Sequence, residues 1–192
     1  NKIVVAGSSA GFALVRYNTD GSLDSTFNLT GKVKTAIGNS SEALSIALQT
    51  DGKIVVAGYS SQSGAVDVAL ARYNTDGSLD LSFDGDGKVV TDISGFLDRA
   101  YSVDIQNDGR IVVAGVSYDS LNSNFLGMRY LSNGTLDSSF GGDGIVTSDI
   151  ASYNESARSL KIQNDGKIFV AGLSYIGNTS FVVLLCYQSN GS

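Results

Sequence analysis

Short apolar runs of strand length, separated by turn residues, make up most of the chain. Residues 43–48 alternate between small or polar side chains and large apolar ones, which is the period of two typical of a strand. The following run, Ile54–Ala57, is apolar at every position and favours a strand covered on both faces. No segment carries a helical period of useful length, so the pattern predicts an all-β protein.

The pattern of runs repeats along the chain. A Val-Ala-Gly segment or its equivalent ends at glycines spaced 51, 57 and 57 residues apart, which are Gly7, Gly58, Gly115 and Gly172. A second marker, Arg72-Tyr73-Asn74-Thr75-Asp76-Gly77-Ser78-Leu79-Asp80, has counterparts that begin at Arg16 and Arg129 and a partial one that begins at Cys186. Two markers in register four times indicate a tandem structural repeat.

Each repeat contains four runs of strand length. In the second repeat the predicted strands A to D are Ala43–Gln49, Lys53–Gly58, Val68–Tyr73 and Lys88–Ile93. Asp-Gly pairs separate strands A and B at the spacing of a two-residue hairpin. Four short antiparallel strands per repeat of this length are typical of a β-propeller blade. A β-solenoid is the alternative, but its coils are shorter and do not need a tight hairpin.

The whole chain, residues 1–192, is therefore predicted to be one β-propeller segment of about three and a half repeats. The units span approximately 1–37, 43–93, 100–150 and 157–192, and the first lacks strand A while the last lacks strand D. This count predicts fourteen strands. A segment of a larger ring is favoured over a closed ring of four blades, because the two ends do not complete a shared blade.

The repeat also resembles a known family. The patterns Gln-x-Asp-Gly-Lys-Ile-Val-Val-Ala-Gly and Arg-Tyr-Asn-x-Asp-Gly-Ser-Leu-Asp-x-x-Phe are similar to the bacterial delta-60 repeat, a propeller-type family without an assigned activity and with a kelch-like strand order. The resemblance implies a bacterial exported or surface protein with many tandem copies, and it supplies no catalytic residues. The chain departs from the repeat at Leu131 and Cys186.

Charge and composition exclude several classes of partner. The net charge is −6 and the 13 basic residues are scattered, which argues against nucleic acid. No apolar stretch approaches the roughly 20 residues of a membrane-spanning helix. The sequence predicts neither membrane insertion nor a cofactor.

The turn segment after strand C has the oxygen-rich spacing of a calcium loop. However, three copies of the segment have an arginine at the position of the first carboxylate ligand. These residues are Arg16, Arg72 and Arg129. The favoured interpretation is a structural turn in which Asp24 accepts backbone N–H groups or pairs with Arg16. No metal site is predicted.

The chain also offers little for catalysis. It has no histidine, and Cys186 lies in an apolar run, where we expect a buried, inert thiol. The carboxylates that do not recur in turns are Glu42, Asp67, Asp98, Asp119 and Glu155. Two of them could in principle hydrolyse a glycosidic bond, but the prediction is a protein that is not an enzyme.

The meander places the A–B and C–D connections at one end of each blade and the B–C and D–A connections at the other. The second end carries the segments that differ between repeats, and varied loops on a rigid scaffold are where binding residues concentrate. The candidate binding residues are the aromatic side chains of these segments, Tyr59, Phe96, Tyr118, Tyr153 and Tyr175. The alternative is that some of them fold back over the blade edge.

The resulting hypothesis is a non-catalytic binding or scaffold module of a bacterial secreted or cell-surface protein. It would recognise a protein or a glycan through the varied end of the blades. The alternative is a structural building block without a small ligand, which associates with itself through open blade edges. A glycoside hydrolase is the third and least favoured hypothesis.

Overall fold

A computed structural model describes residues 2–93, 95–150, 154–177 and 179–192. Within these ranges, fourteen β-strands form four antiparallel sheets in which consecutive strands are neighbours. We number these sheets blades I to IV. The predicted all-β fold and the predicted strand count are confirmed, and the sheets form an open series rather than a closed one. No helix that could cross a membrane occurs among the described residues.

The strands of each blade follow the order A to D predicted from the repeat. Blade I contains β1 (Ile3–Ser8), β2 (Phe12–Tyr17) and β3 (Lys32–Thr35). Blade II contains β4 (Ser40–Leu48), β5 (Ile54–Gln62), β6 (Ala65–Tyr73) and β7 (Lys88–Thr91). Blade III contains β8 (Asp98–Ile105), β9 (Ile111–Tyr118), β10 (Ser123–Tyr130) and β11 (Ile145–Ser148), and blade IV contains β12 (Asn154–Ile162), β13 (Ile168–Ile176) and β14 (Thr179–Tyr187). In the described part of the chain, blade I has no strand A and blade IV no strand D.

Two local predictions were wrong in detail. Strands B and C of blade II continue past Gly58, with pairs that run on to Gln62 and Ala65. Backbone pairing does not require apolar side chains, so the strand is longer than the apolar run that predicted it. The A–B turn has three residues rather than two, because the Gln49 N–H donates to the Lys53 carbonyl at 2.9 Å and Gly52 takes the left-handed conformation, with φ of 84°, that this type of hairpin requires.

Each inner blade packs on both of its neighbours. In β5, Val55 and Ala57 belong to the apolar cluster shared with blade III, whereas Ile54 and Val56 belong to the cluster shared with blade I. Alternate side chains of a strand point to opposite faces, so one continuous apolar run serves two interfaces. This confirms the interpretation of strand B as covered on both faces.

The repeated glycine of strand B lies against a bulge in strand A. The ladder of β8 and β9 shifts between Ala100 and Ser102, which presses the strand A backbone toward Gly115. A Cβ at Gly115 would lie 1.8 Å from the Arg99 carbonyl oxygen, far inside van der Waals contact. The same bulge occurs opposite Gly58 and Gly172. Glycine recurs at this position because any side chain would collide with the strand A backbone.

A buried arginine joins each blade to the next. The Arg72 Nε donates to Asp80 Oδ2 at 2.7 Å, and its Nη2 donates to the Ser82 hydroxyl at 3.1 Å. Its Nη1 donates to the Ser132 carbonyl in blade III, and the guanidinium lies 4.7 Å from the centroid of the Phe83 ring. One planar cation thus holds its own turn and the turn of the following blade. We call this arrangement the arginine clasp.

The arginine clasp recurs at both other blade junctions. The corresponding pairs are Arg16 with Asp24 at 2.7 Å and Arg129 with Asp137 at 2.8 Å. A tyrosine hydroxyl adds a second link between blades, as in the 2.8 Å hydrogen bond from Tyr73 to Thr35. Burial is the main reason that the pKa of Tyr73 is raised to about 12. The predicted pairing of Asp24 with Arg16 is confirmed, and the turn marker is in addition a junction between blades, which the sequence analysis did not predict.

No described part of the chain forms a blade on the outer face of blade IV. Val182 and Leu184 are 84% and 65% exposed, whereas the residues at the same position in blade II, Val68 and Leu70, are completely buried. The prediction that Cys186 is buried was wrong, since this residue is exposed on β14. An apolar run in strand C, such as that of β14, is therefore buried only where another blade covers it.

The bulge predicts a sharp difference between two equivalent glycines. Gly115→Ala should lower the free energy of unfolding by at least about 2 kcal/mol, because the strand A backbone must move away from the new methyl group. Gly7 occupies the same position in blade I, where no described atom lies within 4 Å of an added Cβ. Gly7→Ala should therefore stay within about 1 kcal/mol of the parent chain. Chemical denaturation followed by circular dichroism measures both variants, and equal effects would contradict the role of the bulge.

The arginine clasp predicts loss of stability in acid. Burial opposes ionisation of Asp80, but hydrogen bonds from Lys53 and Ser82 outweigh it and hold the pKa of that carboxyl well below its usual range. An aspartate in the unfolded chain has a pKa of about 3.9. The contribution of Asp80 to the free energy of unfolding is therefore complete above about pH 5, and it is lost as the pH falls towards the pKa of Asp80 in the folded chain. The denaturation midpoint of the parent chain should drop between pH 5 and pH 3.

Two variants separate this effect from a general loss of charge. Asp80→Asn should be less stable than the parent at pH 7 and should lose less stability between pH 5 and pH 3. Asp86→Asn removes the same charge from a side chain that is 60% exposed and pairs with Lys88 at 3.1 Å, so its denaturation midpoints should follow those of the parent. A steeper pH dependence in Asp80→Asn than in the parent would refute the assignment.

Candidate functional site

The end of the blades opposite the arginine clasps carries the segments that differ between repeats. Here Ser63 and Gly64 join β5 to β6, residues 119–122 join β9 to β10, and the D–A connections also return to this end. Three of the five predicted aromatic residues lie in strands rather than in loops, because strand B is longer than predicted. They are Tyr59 in β5, Tyr118 at the end of β9 and Tyr175 in β13.

A cleft of about 380 Å³ between blades III and IV brings Tyr118 and Tyr175 together. The two residues are 57 positions apart and thus occupy the same place in successive blades. Tyr118 is 39% exposed and Tyr175 is 40% exposed, so each residue is partly covered by the protein and partly accessible to a ligand. Such rings can contact a ligand with little loss of conformational entropy.

Two residues of the cleft were missed by the sequence analysis. Tyr101 and Arg158 also line it, and the Arg158 guanidinium lies 4.5 Å from the centroid of the Tyr101 ring. Both residues occupy the bulge of strand A, where the ladder omits one residue from pairing. Blade II has Leu44 at this position. Variation among three otherwise similar strands was the available signal.

The polar groups of the cleft are held by hydrogen bonds. Glu155 is 1% exposed, and its carboxylate accepts the Ile150 N–H at 2.9 Å and the Ser174 hydroxyl at 3.3 Å. The Ser123 hydroxyl donates to the Glu155 carbonyl at 2.9 Å. Asn154 also lines the cleft, and its Oδ1 accepts the Ser123 N–H at 3.3 Å. The arrangement presents aromatic faces beside fixed donors and acceptors.

The remaining predicted aromatic residues do not join this cleft. Tyr59 lies at the junction of blades II and III, with the Arg99 guanidinium 4.4 Å from its ring centroid. Burial, followed by the hydrogen bond and charge of Glu42, raises the pKa of Tyr59. Phe96 lies in the connection between β7 and β8 and is 50% exposed. Tyr153 lies outside the described residues.

Three carboxylates meet at the same end of the molecule, between blades II and III. One oxygen each of Asp67, Asp92 and Asp98 lies within 4.8 Å of the others. Burial, followed by the charges of Asp92 and Asp98, raises the pKa of Asp67. Asp67 and Asp98 were among the carboxylates that the sequence singled out as unrepeated, whereas Asp92 was not. A group of this kind can hold a cation that prefers oxygen ligands.

Asp119 has a structural explanation of its own. Its Oδ1 accepts the N–H groups of Leu121 and Asn122 at 2.7 and 2.8 Å. These bonds lower the pKa of Asp119, and the bond to Asn122 contributes most. The carboxylate thereby closes the connection between β9 and β10 as an Asx turn.

Comparison with known proteins identifies the repeat. A family model described as "Domain of unknown function (DUF5122) beta-propeller" matches residues 1–27, 49–83, 106–140 and 163–192, which together make up more than half of the chain. Each matched segment from the second onward begins at the A–B turn and includes strands B and C. No curated protein matches the chain.

Proposed function

The chain belongs to the DUF5122 β-propeller family, and on that premise we propose that it is a non-catalytic binding module that recognises a glycan in the cleft between blades III and IV. The observation that carries this proposal is the meeting of Tyr118, Tyr175 and Tyr101 around one cleft with Arg158 at its side. Sugars offer an apolar ring face to aromatic side chains and hydroxyl groups to polar ones.

The size and polarity of the cleft support a small polar ligand. Its volume of about 380 Å³ lies at the lower end of the range of about 300–1,000 Å³ seen in ligand pockets. The polar groups at its wall are already oriented by Ser123 and Ser174, so little ordering is required on binding. A glycan fits these features better than the flat, extended contact of a protein partner.

We propose that the ligand is bound without being hydrolysed. The carboxylate of Glu155 accepts the Ile150 N–H with both oxygens at 2.9 Å, which holds it as part of the wall. Release of reducing sugar from a panel of polysaccharides by the parent chain, and its loss in Glu155→Gln, would favour a glycoside hydrolase instead. The finer identification of the repeat as the bacterial delta-60 type, and with it a secreted or cell-surface location, belongs to the same proposal.

Replacement of the paired tyrosines should abolish glycan binding. Tyr118→Ala combined with Tyr175→Ala removes two ring contacts, each worth about 1 kcal/mol or more in binding. Affinity should therefore fall by about 30-fold or more. A glycan array on the parent chain identifies a ligand, and isothermal titration calorimetry then compares the variants.

Phe96→Ala supplies the matched control, because it removes an exposed aromatic ring from the same end of the molecule but not from the cleft. It should bind the glycan as the parent does. Equal loss in Phe96→Ala, or binding that survives in the double tyrosine variant, would move the site elsewhere. Specific capture of a protein without any array signal would replace the glycan by a protein ligand.

A second candidate function, an assembly module, rests on the exposed outer face of blade IV. Val182 and Leu184 present to solvent an apolar surface that is fully buried at the corresponding positions of blade II. At those positions of blade II, Val68 and Leu70 pack in an apolar cluster shared with blade III. We propose that a second copy of the chain covers it and extends the series of blades.

This second candidate predicts concentration-dependent association. Sedimentation velocity should show a rising mean mass with concentration for the parent chain. Val182→Glu combined with Leu184→Glu should leave a monomer, because two charges cannot be buried without partners. Leu121→Glu, at a residue that is 85% exposed in the connection between β9 and β10, should associate as the parent does. A parent chain that stays monomeric at all concentrations would exclude this assembly.

A further inference from the structure

We propose that Asp67, Asp92 and Asp98 bind one Ca²⁺ ion between blades II and III. Asp67 lies in β6, Asp92 directly follows β7, and Asp98 begins β8. Two blades and the connection between them thus each supply a ligand. Oxygen atoms within 4.8 Å of one another match the coordination sphere of Ca²⁺, whose ligands lie about 2.3–2.6 Å from the ion.

The buried side chain of Asp67 points to a missing positive partner. Asp67 is only 8% exposed, and its Oδ1 accepts no hydrogen bond within the described part of the chain. A buried carboxylate oxygen without a donor is costly, because it has lost its water and gained nothing in return. A cation bound by the Asp67 carboxylate would supply the missing partner.

The other two carboxylates are held by hydrogen bonds from the backbone. Asp92 Oδ1 accepts the Gly95 N–H at 2.6 Å, and Asp98 Oδ2 accepts the Ile93 N–H at 3.1 Å. These bonds tie the carboxylates to the backbone at Ile93 and Gly95. Hydrogen bonds of this kind, from backbone N–H groups to the ligating carboxylates, form the usual outer shell of a metal site.

The repeat itself supplies an internal comparison. Val68 pairs with Thr91 in blade II, as Phe125 pairs with Ser148 in blade III. At the junction of blades III and IV, the residues that correspond to the three aspartates are therefore Asn124, Asp149 and Glu155. An amide replaces one carboxylate there, and its Nδ2 donates to Asp119 at 3.3 Å. Among the described residues, the group of three carboxylates thus occurs at one junction, where the Asp67 oxygen lacks a donor.

Calcium fits the site better than magnesium. Ca²⁺ accepts six to eight oxygen ligands in flexible geometry, so three carboxylates leave positions for water. Mg²⁺ demands a near-octahedral set at about 2.0–2.1 Å, which carboxylates fixed on two blades and their connection could reach only by moving. We therefore expect the affinity for Ca²⁺ to exceed that for Mg²⁺.

Calcium binding is tested on the full chain after treatment with EDTA. Isothermal titration with CaCl2 should show one site, and CaCl2 should raise the thermal unfolding temperature in proportion to the logarithm of its concentration above the Kd. Asp67→Asn should weaken Ca²⁺ binding at least about tenfold, the loss that even second-shell changes cause. The substitution is compatible with the fold because Asn124 is the natural residue at the corresponding position.

Two further measurements make the outcome decisive. In EDTA, Asp67→Asn should unfold at the same temperature as the parent or a higher one, because it removes a like charge from the group. Asp86→Asn, which removes an exposed carboxylate from the opposite end of the molecule, should bind Ca²⁺ as the parent does. Equal Ca²⁺ binding in all three chains, or no binding at millimolar CaCl2, would overturn the proposal. Because Tyr118 and Tyr175 lie in a different cleft, failure of either proposal leaves the other standing.

Discussion

The arrangement of blades depends on an arginine that belongs to two of them at once. Its side chain pairs with the aspartate of its own turn, lies over a phenylalanine and donates to a carbonyl of the next blade's turn. A buried guanidinium without these partners would be strongly unfavourable. Each turn that carries the arginine therefore requires the turn of a following blade beside it.

Much of the fold could be predicted because its determinants are local. The apolar run of strand B, the Asp-Gly turns and the glycine after Val-Ala each reflect a neighbour within the same repeat. The prediction failed where the neighbour lies elsewhere. Cys186 follows a run of apolar residues in the sequence, as a buried residue would, yet its exposure depends on whether another blade covers β14. The length of strands B and C was also missed, since their outer pairs involve polar side chains.

The candidate site was predicted only in part, and for a related reason. Tyr118 and Tyr175 are brought together because equal positions in successive blades are neighbours. Tyr101 and Arg158 were overlooked because a bulge changes which way strand A presents them. Asp92 resembled a residue that recurs, since Asp149 stands 57 positions later. Asp92 differs from Asp149 in that it lies close to Asp67. Sequence alone does not show which residues of a connection between two blades come to lie beside a given strand residue.

The bulge in strand A leaves one residue outside the ladder in each of blades II, III and IV. Leu44, Tyr101 and Arg158 occupy that place, and they share neither size, charge nor polarity. A residue that the ladder omits can be exchanged without disturbing the register on either side of it. Duplicated copies of such a unit can consequently diverge at this position while their frame stays constant, and the number of copies sets how many surface chemistries one chain can combine.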